Sequence, residues 1–477
     1  MDRLTEWARG VARELGDPQL AAVCFAFATL PVEISGLWFP TTLVNLSRIG
    51  MAVAILLAAL RALRNRREVR PLALSLVVGT GAVLAIDLLS TAVTRWPGAI
   101  RDIGPFVFYA AFAAAVAQTL TDGRRVRVAA AVFLVAALAE SVLLIIQQVG
   151  DFYLTEIRNY HGRRNGTFID PNIAARYLLV GLVVALAAVR DRAGWRTPVV
   201  IALPAVISMA IVLTFSRSGW AILVLVALAS LALDARLPRV RVAAIATVAT
   251  FVLGILLIPN ALQRATDPPT PADSGTGAQS ALLVSYVASP AAPAATPIAD
   301  VRQSTPLDGL LNAAPIDRVR RYLARAGVAM FLDHPLAGVG FDGFGPEIRG
   351  PYAGFILPDY RSAPVTAAHT DVIRIAAEEG LLGLAALAAF VAVVLLALRR
   401  GLASADRLTI VGLQAAGLGA LVVGLAAQFE GRFYGDAGLW VSIGVIAALA
   451  SVPRGTVGRT AAGPVAGPVA GTGTADA

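Results

Sequence analysis

Residues 369–398 read HTDVIRIAAEEGLLGLAALAAFVAVVLLAL, a polar stretch that continues without a break into an apolar one. The first part begins with His369 and carries several ionisable side chains, whereas the residues after Gly380 are all apolar. An apolar run of about 18 residues or more is typical of a membrane-spanning helix. The stretch therefore predicts a span that begins in a polar loop, and this loop is the one long polar excursion in the chain.

The composition predicts a protein with many membrane spans. Of 477 residues, 57% are hydrophobic and only 15% are charged, whereas soluble domains contain about 25% charged residues. All 40 basic residues are arginines, and they lie in short loops rather than on one soluble domain, which does not favour nucleic acid as a partner. The single cysteine, Cys24, excludes a disulfide framework and a Cys-ligated metal site.

The hydrophobic pattern predicts an all-α integral membrane protein with about 12 transmembrane helices, since each apolar segment approaches the ~20 residues that a bilayer requires. Residues 1–17 predict an interfacial amphipathic helix before the first span. The predicted spans cover residues 19–39, 43–62, 71–93, 103–120, 126–148, 171–189, 198–214, 218–234, 240–258, 371–398, 408–427 and 437–452.

The arginines predict the orientation in the membrane. They concentrate in alternate loops and at both termini, and by the positive-inside rule that side is the cytoplasm. We therefore expect a bacterial cytoplasmic membrane protein with both termini in the cytoplasm. The arginine-rich loops lie at residues 61–70, 124–127, 190–196, 236–241 and 399–407.

Four regions follow from this topology. Residues 1–258 form an N-terminal transmembrane region of about nine spans. Residues 259–370 form a large external loop that contains short helices, with 265–305 expected to be disordered because Pro, Ala, Ser and Thr dominate, and with Asp317 as the predicted N-cap of a helix. Residues 371–452 form a C-terminal region of about three spans, and 453–477 a flexible cytoplasmic tail.

Arginines in the outer loops are exceptions to the positive-inside rule, so they are candidates for binding an anion. Arg217 lies in a short hairpin between two spans, where a guanidinium can bind a phosphate through two hydrogen bonds or simply reach ordinary lipid headgroups. Arg320, Arg321 and Arg325 form a basic face on the external helix, where a solvated surface is as plausible as a ligand site. Converging arginines would suit a lipid-linked diphosphate, on which charge builds as it leaves.

His369 is the candidate general base, because imidazole accepts a proton near neutral pH; the alternative is a hydrogen bond at a helix end. Asp87 and Glu140 lie within predicted spans, where acids usually have a function. They either pair with outer arginines and shape a cavity, or relay protons in a transporter. No D-x-D or E-x-D lies in an outer loop, and no P-loop occurs, so a mechanism without a metal or cofactor is the default expectation.

Four stretches resemble the O-antigen ligase and polymerase family of membrane glycosyltransferases. They are similar in order and spacing to the family motifs G-T-F-x-x-P-N, T-x-S-R-[GS]-[GA], R…P-L-x-G-x-G and H-N-x-x-L-x-x-x-x-E-x-G-x-x-G-L. One departure is Thr370, where the family usually has asparagine. The four stretches are Gly166–Asn172, Thr214–Gly219, Arg320 with Pro335–Gly340, and His369 with Glu378, Gly380, Gly383 and Leu384.

The resemblance implies a fold of the GT-C type and glycan transfer from a polyprenyl-diphosphate donor to a lipid or glycan acceptor at the outer leaflet. It implies that His369 is the catalytic base and that Arg217 and Arg320 hold the donor diphosphate, with inversion and without metal. Arg321, Arg325, Glu378, Asp87, Glu140 and Asn172 are supporting candidates. A transporter of a small anion or another solute, or a scaffold subunit of a glycan export machine, are the rival interpretations.

Overall fold

The structure is a computed structural model, and it describes residues 9–32, 44–65, 71–94, 99–154, 163–191, 197–234, 236–258, 315–356, 368, 370–404, 407–430 and 435–450. These residues form helices, turns and loops, with no strand among them. The helices are α1 (Pro18–Thr29), α2 (Leu46–Arg64), α3 (Pro71–Thr94), α4 (Ala99–Thr119), α5 (Gly123–Gly150), α6 (Pro171–Asp191), α7 (Thr197–Leu213), α8 (Arg217–Asp234), α9 (Pro238–Leu257), α10 (Pro315–Asp333), α11 (Phe344–Arg349), α12 (Asp371–Ser404), α13 (Arg407–Glu430) and α14 (Ala437–Ala450).

Short polar side chains and prolines start several of these helices, as their backbone chemistry requires. The carboxylate of Asp17 accepts a hydrogen bond from the amide of Gln19 at 3.0 Å, and Pro18 occupies the first turn of α1. The side chain of Asn45 starts α2, and that of Asp122 accepts hydrogen bonds from two amides at the start of α5. Each cap satisfies amides that have no partner within the helix.

Each predicted span overlaps a helix of the bundle, but the first, 19–39, overlaps only α1, and its residues 33–39 lie outside the described residues. Six of these helices are long and apolar enough to cross a membrane by length and composition, and six more are shorter apolar helices among the described residues. The described residues are therefore all-helical, with several candidate membrane spans, whereas the number twelve and the GT-C fold remain predictions. The six long helices are Leu46–Arg64, Gly123–Gly150, Pro171–Asp191, Pro238–Leu257, Asp371–Ala403 and Thr409–Gln428.

Helix α6 lies at the centre of the bundle, and most of its side chains are buried. It packs against α5, α7, α8, α9 and α13. Helix α12 organises the other half, because it contacts α3, α10, α13 and α14. Helix α13 thus touches both halves. Ridges of small residues allow such close packing between apolar helices, as at Gly181, where a Cβ atom would lie 2.8 Å from that of Ala137.

Ion pairs and polar hydrogen bonds tie the helix ends together at both ends of the bundle. At one end, Arg125 pairs with Asp17 at 2.8 Å. At the other, Arg176 pairs with Asp436 at 2.8 Å, and the amide of Val372 donates to Gln428 at 3.4 Å. The first end carries the arginine-rich loops, so the alternation of the arginines along the chain corresponds to two distinct ends of the folded bundle.

Residues 315–356 pack onto the start of α12 around a small apolar cluster, to which Ala368 and α12 also contribute. Its members include Leu323, Met330 and Phe344, each at most 2% exposed. Helix α10 begins at Pro315, so the predicted N-cap at Asp317 is wrong: this residue lies within the first turn. The region expected to be disordered, 265–305, lies outside the described residues, and the domain boundaries remain predictions.

Candidate functional site

Two of the sequence motifs bind each other through their backbones. Helix α12 breaks at Gly380, and the segment Pro335–Gly340 lies against the break. The amides of Val339 and Gly340 donate to the carbonyls of Ala377 and Glu378, each at 2.8 Å. In return, the carbonyl of Pro335 accepts from the amide of Leu381 at 2.8 Å. The break therefore exposes polar backbone groups that the loop satisfies, as burial demands.

The glycines of both motifs are required at this contact. Gly380 and Gly338 both have φ of +66°, a conformation that other residues adopt only under strain. A Cβ atom at Gly338 would lie 2.2 Å from the carbonyl carbon of Glu378, and one at Gly380 would lie 2.5 Å from that of Leu336. Ser90 on α3 completes the contact, because its hydroxyl lies 2.9 Å from the Ala337 carbonyl.

Glu378 lies two residues before the break in α12 and connects this helix to α11. Its side chain is 1% exposed, accepts from the amide of Phe344 at 3.2 Å, and pairs with Arg374 at 3.4 Å. Arg374 also pairs with Asp371 at 3.2 Å, within the first turn of α12. A buried charge is tolerated when it is paired and hydrogen-bonded. Glu378 thus holds α11 against the first part of α12.

His369, the predicted catalytic base, lies outside the described residues. The chain positions on either side of it are described. Ala368 is fully buried in the apolar cluster of residues 315–356, and the carbonyl of Thr370 accepts from the amide of Arg374 at 2.9 Å. The role of His369 remains a prediction from the sequence.

Arg217 is the first residue of α8, at the end of a tight turn. Phe215 has φ of +50°, and the Ser216 hydroxyl accepts from the amide of Gly219 at 3.2 Å, which caps the helix. Ser216 and Ser218 place their hydroxyl oxygens 3.2 Å apart. A helix N-terminus carries partial positive charge, so an arginine there is unfavourable on its own and favourable when an anion is bound.

The Gly166-Thr167-Phe168 turn is held from α5 by two buried side chains. Glu140 accepts from the amide of Thr167 at 2.7 Å and from its hydroxyl at 3.0 Å. Gln147 accepts from the amide of Gly166 at 2.9 Å and donates to its carbonyl at 3.1 Å. Glycine is required here, because a Cβ atom at Gly166 would lie 1.7 Å from Glu140.

This turn and the Arg217 turn form one unit. The guanidinium of Arg163 donates to the Thr214 carbonyl at 2.8 Å and also to the side chain of Asn172. The amide of Arg164 donates to the carbonyl of Leu213 at 3.0 Å. Asn172 thereby helps to position the turn that leads to Arg217. Arg163 and Arg164 are not among the residues predicted from the sequence, although two arginines just before a G-T-F motif could have indicated them.

The basic face of α10 lies in the other half of the molecule. Arg320 and Arg321 are half-buried, and Arg325 is exposed, with its guanidinium 5.8 Å from the centre of the Tyr322 ring. Helix α10 packs on α12, whereas α8, which begins with Arg217, packs on α6, α9 and α13. Helix α13 lies between these two halves because it contacts both α8 and α12.

Asp87 and Glu379 are fully buried and face each other where α3 packs against α12. None of their four carboxyl oxygens finds a hydrogen-bond donor among the described residues. Glu379 was missed at the sequence level, although two consecutive acids before a helix break are an unusual feature. Among the described residues, no group of three or more His, Cys, Asp or Glu side chains is arranged to hold a metal ion.

Two titratable groups in residues 315–356 have shifted pKa values. Burial, followed by the hydrogen bond to Asp333 at 2.7 Å, raises the pKa of Tyr352, so its hydroxyl remains a donor. Burial also raises the pKa of Glu347, an effect that the nearby His334 opposes. The Tyr352–Asp333 bond connects the residues after α11 to the end of α10.

Residues 199–388 match the family model described as O-antigen ligase. The resemblance to the O-antigen ligase and polymerase family is confirmed. The matched range includes Arg217, Arg320, His369 and Glu379, and it ends just after the break in α12. No curated protein matches the chain. The match supports a membrane-embedded, glycan-processing enzyme of the ligase or polymerase type, with lipid-linked glycans as the implied substrates.

Proposed function

We propose that the protein transfers a glycan from a polyprenyl-diphosphate donor to a lipid- or glycan-linked acceptor at the outer leaflet of a bacterial cytoplasmic membrane. The observation that carries this proposal is the match to the O-antigen ligase family over residues 199–388, which contain all three residues assigned to the reaction. These residues are His369, Arg217 and Arg320.

Arg217 and Arg320 bind the donor diphosphate in this proposal. The position of Arg217 supports its role, because a capped helix N-terminus and a guanidinium both favour an anion at the same place. Arg320 occupies the half-buried part of α10, beside Arg321, which lies one turn before Arg325. These neighbours add positive charge without having to contact the donor.

The reaction is a single displacement at the anomeric carbon. His369 takes the proton of the acceptor hydroxyl, the oxygen attacks the anomeric carbon, and the bond to the diphosphate oxygen breaks with its electrons. The configuration inverts because nucleophile and leaving group lie on opposite faces. Arginines that bind the diphosphate stabilise the charge that develops on it. Two guanidinium groups can supply this charge without a divalent cation, so we propose a reaction that does not depend on metal.

The test is glycan transfer by the purified protein from a polyprenyl-diphosphate oligosaccharide, with EDTA present, followed by gel and mass spectrometry. We expect His369→Ala and Arg217→Ala to lose transfer. Matched controls are His334→Ala, an exposed histidine at the end of α10, and Arg236→Ala, an exposed arginine just after α8. Both controls should retain wild-type activity.

Donor binding separates the two roles. Arg217→Ala should weaken binding of the polyprenyl diphosphate, whereas His369→Ala should bind it as wild type does and fail only in the chemical step. Full transfer by His369→Ala in folded protein would contradict the assignment of the base. Equal donor binding by wild type and Arg217→Ala would contradict the diphosphate site.

A transporter of a small anion is the second candidate function. The observation in its favour is the pair of fully buried acids, Asp87 and Glu379, inside the bundle, because such acids line proton pathways in many transporters. Ion flux in proteoliposomes distinguishes the two functions: a transferase should show none above that of empty vesicles.

A further inference from the structure

The contact between α3 and α12 contains more negative charge than a buried site can hold. Asp87, Asp371, Glu378 and Glu379 are each at most 1% exposed, and one cation, Arg374, pairs with two of them. Removing a carboxylate from water costs several kcal/mol unless a partner compensates. Arg374 donates to Asp371 and Glu378, whereas no donor among the described residues bonds to the carboxyl oxygens of Asp87 and Glu379.

The geometry of the remaining two acids accommodates a proton. Asp87 and Glu379 face each other, and all four of their carboxyl oxygens lack a hydrogen-bond donor. Two facing carboxylates repel, whereas a carboxyl group and a carboxylate form a strong, charge-assisted hydrogen bond. Adding one proton therefore joins an oxygen of one acid to an oxygen of the other, which satisfies two of the four atoms, and it halves the charge on the pair.

The surrounding backbone makes room for Glu379. A Cβ atom at Gly383 would lie 2.6 Å from its Oε2 atom and 2.3 Å from its Cβ atom, so any larger residue would displace the side chain. On α3, Ser90 lies one turn after Asp87 and donates towards the carbonyls of Ala337 and Glu378, at 2.9 and 3.0 Å. The acid pair therefore lies on the face of α3 that holds the Pro335–Gly340 segment against the break.

We propose that Asp87 and Glu379 form a proton-binding site in which one proton is shared between the two carboxyl groups. The proton lies on an oxygen of one acid and is donated to an oxygen of the other, so no bond other than O–H is made or broken. Loss of this proton would leave two facing anions and would push α3 away from α12, at the point where Ser90 binds the docked loop.

Among the described residues, few ionisable groups act on the pair. Arg374 and Glu378 act from α12 itself. Residues 79–92 of α3 contain no ionisable side chain apart from Asp87, and neither α14 nor the Pro335–Gly340 segment contains any. Tyr109, an ionisable residue of α4, has its hydroxyl 3.5 Å from the guanidinium of Arg48 on α2. Substituting Asp87 and Glu379 can therefore show whether a proton that is released near neutral or alkaline pH comes from this pair.

Infrared spectroscopy of the full-length protein in lipid nanodiscs tests the site directly. We expect wild type at neutral pH to show a protonated-carboxyl C=O band that shifts in D₂O and disappears at alkaline pH. Asp87→Asn and Glu379→Gln should each remove this component, because the amide supplies the donor that the proton supplied. The matched control, Asp191→Asn at the C-terminus of α6, should leave the band unchanged. A wild-type spectrum without such a band, or a band that persists in both single variants, would overturn the proposal.

Reversible unfolding provides a second readout that needs no activity. In the unfolded chain both acids are ionised above about pH 5, whereas the folded pair retains a proton. Stability therefore falls as pH rises from there to the pH at which the pair releases its proton, and the unfolding constant increases about tenfold per pH unit for one proton. The Asp87→Asn/Glu379→Gln variant holds no such proton and should lose this part of the slope. An unchanged slope in the folded double variant would also overturn the site. Neither measurement depends on glycan transfer, so failure of the proposed enzyme activity would leave this proposal standing.

Discussion

Glu140 illustrates at the scale of one residue how an acid inside a span can have a structural role. One of its oxygens accepts from the amide of Thr167, and the hydroxyl of Thr167 shares its single proton between the other oxygen and the carbonyl of Pro31. The sequence left two interpretations open, a proton relay and a residue that shapes the site. The described contacts give the second a physical basis, because the turn held by Glu140 is bonded to the turn that precedes Arg217.

We therefore predict that Glu140→Gln is tolerated and Glu140→Ala is not. Glutamine keeps an acceptor for the Thr167 amide and can donate to its hydroxyl, so the free energy of unfolding should fall by no more than about 1 kcal/mol, the net contribution of one hydrogen bond. Alanine leaves a buried amide unsatisfied and should cost about 1–3 kcal/mol. Unfolding in denaturant and glycan transfer should be measured for both. A Glu140→Gln variant that folds normally but is as inactive as Glu140→Ala would instead indicate a proton relay.

At the scale of elements, the break in α12 is the central feature of the site, because the Pro335–Gly340 segment binds the backbone there. We predict that Gly380→Ala destabilises the protein, because φ of +66° alone costs about 1–3 kcal/mol in a non-glycine residue, and the added Cβ would collide with Leu336. Hydrogen exchange at the amides of Val339 and Gly340 should accelerate as the segment detaches.

The matched control for that substitution is Gly81→Ala on α3, where a Cβ atom would meet nothing within 4 Å. Alanine is favoured over glycine within a helix by about 1 kcal/mol, so this variant should be as stable as wild type or more so. If both variants behaved alike, the loss would have to be attributed to glycine replacement in general and not to the contact with the Pro335–Gly340 segment.

The sequence predicted the helices well, because each span is a long apolar run between polar loops and needs no tertiary information. It did not predict the break at Gly380, since a glycine within an apolar helix is equally compatible with close packing. It also missed Glu379 as the partner of Asp87, because almost 300 residues separate them and only the packing of α3 on α12 brings them together. The motifs were readable one by one, whereas their contacts depend on the folded chain.

At the scale of the whole molecule, the contacts divide the bundle into two ends with different chemistry. One end holds the arginine-rich loops, such as Arg125 paired with Asp17 and Arg239 bonded to the carbonyl of Arg190 at 3.0 Å. The other end holds the turn before Arg217, the Gly166 turn and the start of α12. Arginine loops are retained in the cytoplasm, so the end with the candidate site should face outward.

Cysteine labelling tests this orientation in a Cys24→Ala background, which removes the one native thiol. We expect Leu154→Cys and Leu332→Cys, exposed by 45% and 69% at the site end, to react with a membrane-impermeant maleimide in intact spheroplasts. Leu63→Cys, exposed by 68% in the first arginine-rich loop region, and Arg236→Cys should react only after permeabilisation. Labelling of Arg236→Cys in intact spheroplasts would contradict the predicted topology. The turn before Arg217 begins at the other end of α8, so Arg217 would then face the cytoplasm, where an outer-leaflet donor cannot reach it.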